Sequence, residues 1–178
     1  APNVLQEKIV RLTPAQVASL SWDPIELLAA PGSGFTYDIE KIVAYRKFAS
    51  EAWRFDESGA GDDTGFEVKW ADVLTASGLN GEFALGASFS KGFVDGGTDN
   101  TTASPAFQIW VPSRRTPGGA SGGTASQSFV PIYTGSASAV YITSSASFTA
   151  GSGGTGAANQ SQTEFFFRII YRLVNLNF

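Results

Sequence analysis

Acidic side chains are the main residues of this chain that could perform chemistry, because the sequence contains no histidine and no cysteine. Ser-His-Asp and Cys-His catalysis, thiolate metal sites and disulfides are therefore excluded. One acidic cluster, DESGAGDD, places Asp56, Glu57, Asp62 and Asp63 in a glycine-rich turn, and a second, DGGTDN, occupies 95–100. Carboxylates of this kind bind calcium or, as a spaced pair, hydrolyse a glycosidic bond.

Neither acidic cluster has the spacing that these chemistries require. The regular ligand positions and the terminal bidentate Glu of an EF-hand loop are missing from both. We interpret both clusters as solvated loops, and we predict no catalytic residue, no metal ligand and no cofactor. A carboxylate-based hydrolase is the enzymatic alternative; the sequence otherwise predicts a protein that is not an enzyme.

Three further motifs have a structural and a functional interpretation. The stretches GSGF and GSGGTG are not phosphate-binding loops, because neither is followed by Lys-Ser/Thr or by a convincing helix. The adjacent Arg114 and Arg115 either pair with acidic groups of a partner or lie solvated at a loop tip. The four tryptophans could form a platform for sugar rings, but we favour core packing. They are Trp22, Trp53, Trp70 and Trp110.

The composition favours a soluble protein with a polar, weakly charged surface. Charged residues make up 16% of the chain, against about 25% in an average domain. The net charge of −4 gives no basic footprint for nucleic acid, and no apolar stretch approaches the ~18 residues of a membrane span. We therefore expect no nucleic acid and no membrane among the partners, and synthesis in the cytoplasm.

The elements that must position any site are mostly short strands. An extended arm and a first strand, EKIVRL, form 1–11, and a single domain follows over 12–178. TPAQ predicts a short helix, because Thr13 is a good N-cap, Pro14 suits the first helical position and Gln16 completes a capping box. Further strands are predicted in IELLAA, 35–48, FEVKW, AFQIWV, FVPIY, SAVYITSSASF and 163–176, with a hairpin turn at Asn80-Gly81.

The apolar phase of the strand at 35–48 shifts after Glu40-Lys41, which indicates a β-bulge or a bend. Eight or nine strands with one short helix predict an all-β sandwich or barrel. The stretches 113–127 and 150–162 are rich in Gly, Ser, Thr and Ala. They predict either surface loops or loops that become ordered against neighbouring subunits.

The last strand, TEFFFRIIYRLVNL, carries large apolar groups on both faces. Phe165, Phe167, Ile169, Tyr171 and Leu173 alternate as a core-facing set does. In a lone sandwich the opposite face would be polar. That face instead predicts an interface with another subunit or with the arm 1–12, with the arginines pairing at its rim. The predicted assembly residues are Phe166, Arg168, Ile170, Arg172, Arg114 and Arg115.

Two stretches of the chain resemble a known protein family. The stretch LTPAQVASLSWDPIELLAAPGSGFTYDIEKIVAY at 12–45 and the terminal FRIIYRLV resemble a family of small tailed-bacteriophage virion structural proteins. The family begins with Leu-Thr-x-x-Gln, continues through Pro-Ile/Val-Glu-Leu-Val and Ala-Pro-Gly-x-Gly into a long strand, and ends in a Tyr-Arg-type run. About a quarter of the chain is covered. Phe35-Thr36-Tyr37 departs from the family, which has a Lys or similar residue after the glycine loop.

The resemblance implies a jelly-roll-like β-sandwich with one short N-terminal helix and long Gly/Ser-rich loops. It further implies a structural protein of the phage particle that decorates or cements the capsid, or a head fibre or tail component. The expected partners are the chain itself, as a homotrimer, and the major capsid protein or another virion protein, with the chain located on the capsid surface. The alternative is a receptor- or carbohydrate-binding tail or fibre module that uses the tryptophans.

Overall fold

A computed structural model of the chain describes residues 3–47, 53, 65–71, 87–90, 93–94, 106–111, 139–144 and 163–176. These residues include one short complete helix and eight strands. In chain order they are β1 (Leu5–Leu12), α1 (Pro14–Ser19), β2 (Ile25–Leu28), β3 (Phe35–Lys47), β4 (Phe66–Trp70), β5 (Ala87–Phe89), β6 (Ala106–Trp110), β7 (Val140–Ser144) and β8 (Glu164–Asn175). The predicted all-β class is confirmed.

The strands form two antiparallel sheets of four strands each. The first sheet has the order β1-β8-β3-β6 and the second has the order β2-β7-β4-β5. The pairs β1·β8, β2·β7, β3·β6 and β4·β5 are nested like the two arms of one long hairpin, with β4 and β5 innermost. Successive pairs of that hairpin lie alternately in the first and the second sheet. The fold is therefore a β-sandwich in which consecutive strands lie in opposite sheets, except for β4 and β5, which pair within the second sheet.

The core is an aromatic cluster between the two sheets. Phe165 and Phe167 of β8 meet Phe66 of β4, with ring centroids 4.8 and 6.0 Å away, and Phe89 of β5 lies 5.4 Å from Phe167. All four side chains are fully buried. Edge-to-face contacts of this kind add stability beyond area burial. The inward phase of β8 that the sequence predicts is thus confirmed.

Two local predictions are confirmed in detail. In the first turn of α1, the Thr13 backbone N–H donates to Gln16 Oε1 at 2.9 Å, and the Gln16 N–H donates to Thr13 Oγ1 at 3.4 Å. The register of β3 against β8 shifts between Ile39 and Lys41, so Glu40 is the extra residue of a bulge. The bulge keeps residues on both sides of it in phase with the core.

The four tryptophans differ in how deeply they are buried. Trp53 and Trp70 are buried and Trp110 packs partly buried against the core, as predicted. Trp22, in the turn after α1, is 69% exposed, so core packing is wrong for this residue. The predicted hairpin at Asn80-Gly81, the strand FVPIY and the stretches 113–127 and 150–162 lie outside the described residues.

Candidate functional site

The outer faces of the two sheets differ in character. On the second sheet, Glu26 of β2 and Lys69 of β4 flank Tyr141 of β7 in one row, and the Tyr141 hydroxyl donates to Glu26 at 3.5 Å. Glu67, next along β4, pairs with Lys69 at 2.7 Å. This face is polar, as expected for the outside of an antiparallel sandwich.

The outer face of the first sheet is apolar in its centre. Its rows follow from the register, because residues directly opposite each other in an antiparallel pair point to the same side. We call this region the outer apolar face, and its central residues come from β3, β6 and β8. They are Val43, Tyr45, Phe107, Ile109, Phe166 and Ile170.

An aromatic row crosses three strands of the outer apolar face. Tyr45 stacks on Phe107 with ring centroids 4.8 Å apart, and its other neighbour Phe166 lies at 6.2 Å. The next row contains Val43 and Ile109, which are directly opposed between β3 and β6. Cross-strand aromatic and β-branched pairs stabilise a sheet, but here they do so on the side turned away from the core.

The apolar groups of this face are unusually exposed. Phe107 is 70% exposed, Ile109 59%, and Ile9 of β1 61%. Seven large apolar residues are exposed within the described part of the chain, and all but Trp22 lie on the edge strands β1 and β6 or directly beside them. The exposed apolar surface is therefore concentrated on one sheet. Contiguous surfaces of this kind mark interaction sites.

Ion pairs lie among and around the apolar residues of this face. They join neighbouring strands: Arg172 Nε lies 3.0 Å from Glu40 Oε1, and the other two are Arg168–Glu7 and Arg11–Glu164. The hydrogen bond from Arg11 holds the pKa of the Glu164 carboxyl below its ordinary value. Each such exposed pair contributes little to the stability of a monomer.

Three more charged residues complete the rim. Lys41, Asp38 and Lys47 of β3 are opposed to Ile170, Arg172 and Glu164 of β8, on the same side of the sheet. With the ion pairs, this gives five cations and four carboxylates around the apolar centre. The rim is thus nearly neutral.

The structure brings together four of the six predicted assembly residues. Phe166, Arg168, Ile170 and Arg172 lie in sequence order along the outer side of β8. The predicted pairing of the two strand arginines with carboxylates is present. Arg114 and Arg115 lie outside the described residues, as do the acidic clusters.

One predicted alternative for covering this face is wrong. The segment before α1 does not lie across β8; β1 pairs with it edge to edge, from Leu5 opposite Arg172 to Leu12 opposite Phe165. The pairing begins close to the start of the described chain, where the Asn3 N–H donates to the Leu173 carbonyl at 2.8 Å. The arm therefore widens the sheet and leaves its outer side uncovered by this segment.

Sequence reasoning missed the contribution of β6. AFQIWV has apolar residues in both phases of its alternation, so its outward side is ambiguous. The structure turns Phe107 and Ile109 outward and Ala106 and Trp110 towards the core. The polar Gln108 shares the inward phase, so the usual polar-outward rule would have assigned the wrong side; its Oε1 accepts from the Ser90 N–H at 3.0 Å beside β5.

Other kinds of site are not found in the described ranges. No three Asp, Glu, His or Cys side chains there are grouped so that they could share a metal ion. Within the same residues, α1 is too short and too polar to span a membrane, and no other helix qualifies. Comparisons with family models, with curated proteins and with solved structures gave no match to this chain.

Proposed function

We propose that this protein is a structural component of a bacteriophage particle that self-assembles and decorates or cements the capsid. The observation that carries the proposal is the outer apolar face. A sandwich that works alone keeps its outer sides polar, whereas this one exposes a Phe and two Ile side chains on one sheet. Surfaces of this character are covered when proteins assemble.

The strand order supports the same proposal. The orders β1-β8-β3-β6 and β2-β7-β4-β5 of the two four-stranded sheets are those expected when a long hairpin wraps into a jelly roll, and they support that topology. Jelly rolls are common among viral capsid domains and lectins. We therefore propose a jelly-roll sandwich, to which the resemblance of 12–45 and the terminal strand adds a phage structural role.

The proposed partners are further copies of the chain and the major capsid protein. Analogy with other phage decoration proteins favours three copies, and the resemblance favours a place on the capsid surface. The test uses purified protein and shells assembled from the major capsid protein of the same phage. Co-sedimentation at a fixed ratio of chain to capsid subunit supports the proposal. A protein that stays monomeric and leaves the shells bare contradicts it.

A second candidate, a glycan-binding module, is favoured by one observation. Trp22 is 69% exposed in the turn between α1 and β2, with Asp23 beside it, and aromatic faces bind sugar rings. Glycan binding that is lost in Trp22→Ala, with melting temperature unchanged, supports this candidate. Equal glycan binding by Trp22→Ala and the unchanged protein contradicts it.

A further inference from the structure

We propose that the outer apolar face is the surface through which one copy of this chain binds a second copy. The inference rests on the proposed self-assembly and adds its location. The proposed occupant is another molecule of the same chain, which contacts Tyr45, Phe107, Ile109 and Phe166. Two properties of the face favour this occupant, its area and its charge.

The area is that of an interface between two proteins. The four strands have 8, 12, 13 and 5 residues, and at about 3.3 Å per residue and about 4.8 Å between strands they cover roughly 600 Å². The accessible surface is larger than this flat projection, because Phe107 and Ile109 protrude from it. A standard interface buries about 800 Å² on each partner. One further copy of the chain is therefore enough to cover the face.

The charge of the face suits a second copy better than a strongly charged partner. The face holds five of the 12 cations of the chain and four of its 16 carboxylates, so it carries little net charge, whereas the other charged residues of the sequence are mostly acidic, with seven cations and 12 carboxylates. Two copies with a net charge of −4 repel each other less when this nearly neutral face forms the contact than when an acidic surface does. Mixed signs also let cations of one copy lie near carboxylates of the next.

The residue types on the outer apolar face are also those found at protein–protein interfaces. Interface centres are enriched in aromatic residues and arginine and depleted in other charges. The centre here is the row Phe166–Tyr45–Phe107, and Arg168 lies on β8 directly opposite Val43. Burial of these rings against a second copy removes apolar surface from water, and the paired arginines have further N–H groups that can donate to carbonyl and carboxylate oxygens of that copy.

The main test introduces charge into the centre of the face. Phe107→Lys combined with Ile109→Lys leaves a monomer intact, because both side chains are largely exposed and edge strands tolerate lysine. The matched control is Trp22→Lys, an equally exposed apolar residue away from this sheet. Sedimentation equilibrium over a concentration series gives the masses, with 18.7 kDa for one chain, and circular dichroism checks the fold.

We expect the double variant to associate at least about thirtyfold more weakly than the unchanged protein, as for a hot-spot pair, and Trp22→Lys to associate normally. If the double variant does not fold, Ile9→Lys on the opposite edge strand, at a 61% exposed residue, replaces it. Normal association of the lysine variants overturns the assignment of this face and leaves the proposed self-assembly standing. An unchanged protein that is a monomer at all concentrations overturns both.

A second measurement identifies the occupant. The chain has no cysteine, so Ile109→Cys provides a single thiol on the face, and Trp22→Cys provides one elsewhere. In a solution that contains only this protein, alkylation of Cys at 109 slows as the concentration rises through the association range. Alkylation at 22 keeps a constant rate. An alkylation rate at 109 that also stays constant over that range overturns the proposal, because a second copy then does not cover the face.

Discussion

The neighbouring residues Phe166 and Phe167 of β8 test whether one face of this strand is in the core and the other on the outer side of the sheet. Phe167 is fully buried between the sheets, whereas Phe166 lies on the outer side and is only partly buried. Each is changed to Ala, so the chemistry of the substitution is identical and only the face differs. The Phe167→Ala variant should lose far more stability than Phe166→Ala.

The expected difference follows from the surroundings of each ring. Truncation of a core Phe costs about 3–5 kcal/mol, which includes the cavity left behind. Phe167 belongs in the upper part of this range, because it makes edge-to-face contacts with Phe66 at 6.0 Å and Phe89 at 5.4 Å. Phe166 loses only part of the burial of one ring, and water fills the space, so about 1–1.5 kcal/mol is expected.

Urea unfolding followed by tryptophan fluorescence measures both losses. The experiment uses the Phe107→Lys/Ile109→Lys background, so that self-association does not contribute to the stability of either variant. For 178 residues, a loss of about 3–5 kcal/mol corresponds to a melting temperature lower by roughly 6–20 °C. Equal losses for Phe166→Ala and Phe167→Ala, or a loss below about 1 kcal/mol for Phe167→Ala, would refute the assignment of faces.

Three further changes test separate parts of the structure. A Cβ at Gly65 would overlap the backbone carbonyl oxygen of Phe89 in β5, so Gly65→Ala should cost about 3 kcal/mol or more in urea unfolding; a neutral substitution would mean that β4 and β5 lie farther apart. Thr13→Ala removes the N-cap of α1 and should cost about 1 kcal/mol, and an unchanged midpoint would show that the capping box is dispensable. The hydrogen bond from Arg11 lowers the pKa of the Glu164 carboxyl in the folded chain. The stabilisation from this pair is therefore fully present above the pKa that Glu164 has in the unfolded chain, and it is lost as the pH falls from there through the pKa of Glu164 in the folded chain. The stability gap between the unchanged protein and Glu164→Gln should therefore shrink between pH 7 and pH 3, and a constant gap would argue against the pair.

Local features of the fold were predictable because single residues determine them. Thr13, Pro14 and Gln16 specify the start of α1 by hydrogen bonding and ring geometry alone. The apolar phase of 35–48 could be restored after Glu40 only by an extra residue, so the bulge was visible before any partner strand was known. In the PGSG turn, Gly32 and Gly34 adopt φ angles of +95° and +78°, which favour glycine and interrupt the chain between β2 and β3.

The pairing of strands was not predictable from such signals. Alternation shows that β8 has two apolar faces, but not that β1 and β3 are its neighbours, because many orders of eight strands bury the same inward set. The contribution of β6 depends on that order: Phe107 joins the outer aromatic row only because Ala106–Trp110 pairs with β3 opposite Tyr45. Long-range pairing therefore placed the central residues of the candidate site.

The contrast between the two sheets limits what the outer apolar face can be. A sequence that merely tolerated apolar residues on its surface would scatter them over both sheets. Here the second sheet keeps Glu26, Lys69 and Glu67 outward. The first sheet concentrates exposed Phe107 and Ile109 on one edge strand. An exposed apolar edge strand favours association with another molecule. Because the outer side of the second sheet is polar, the apolar outer side of the first sheet indicates a surface that another molecule covers.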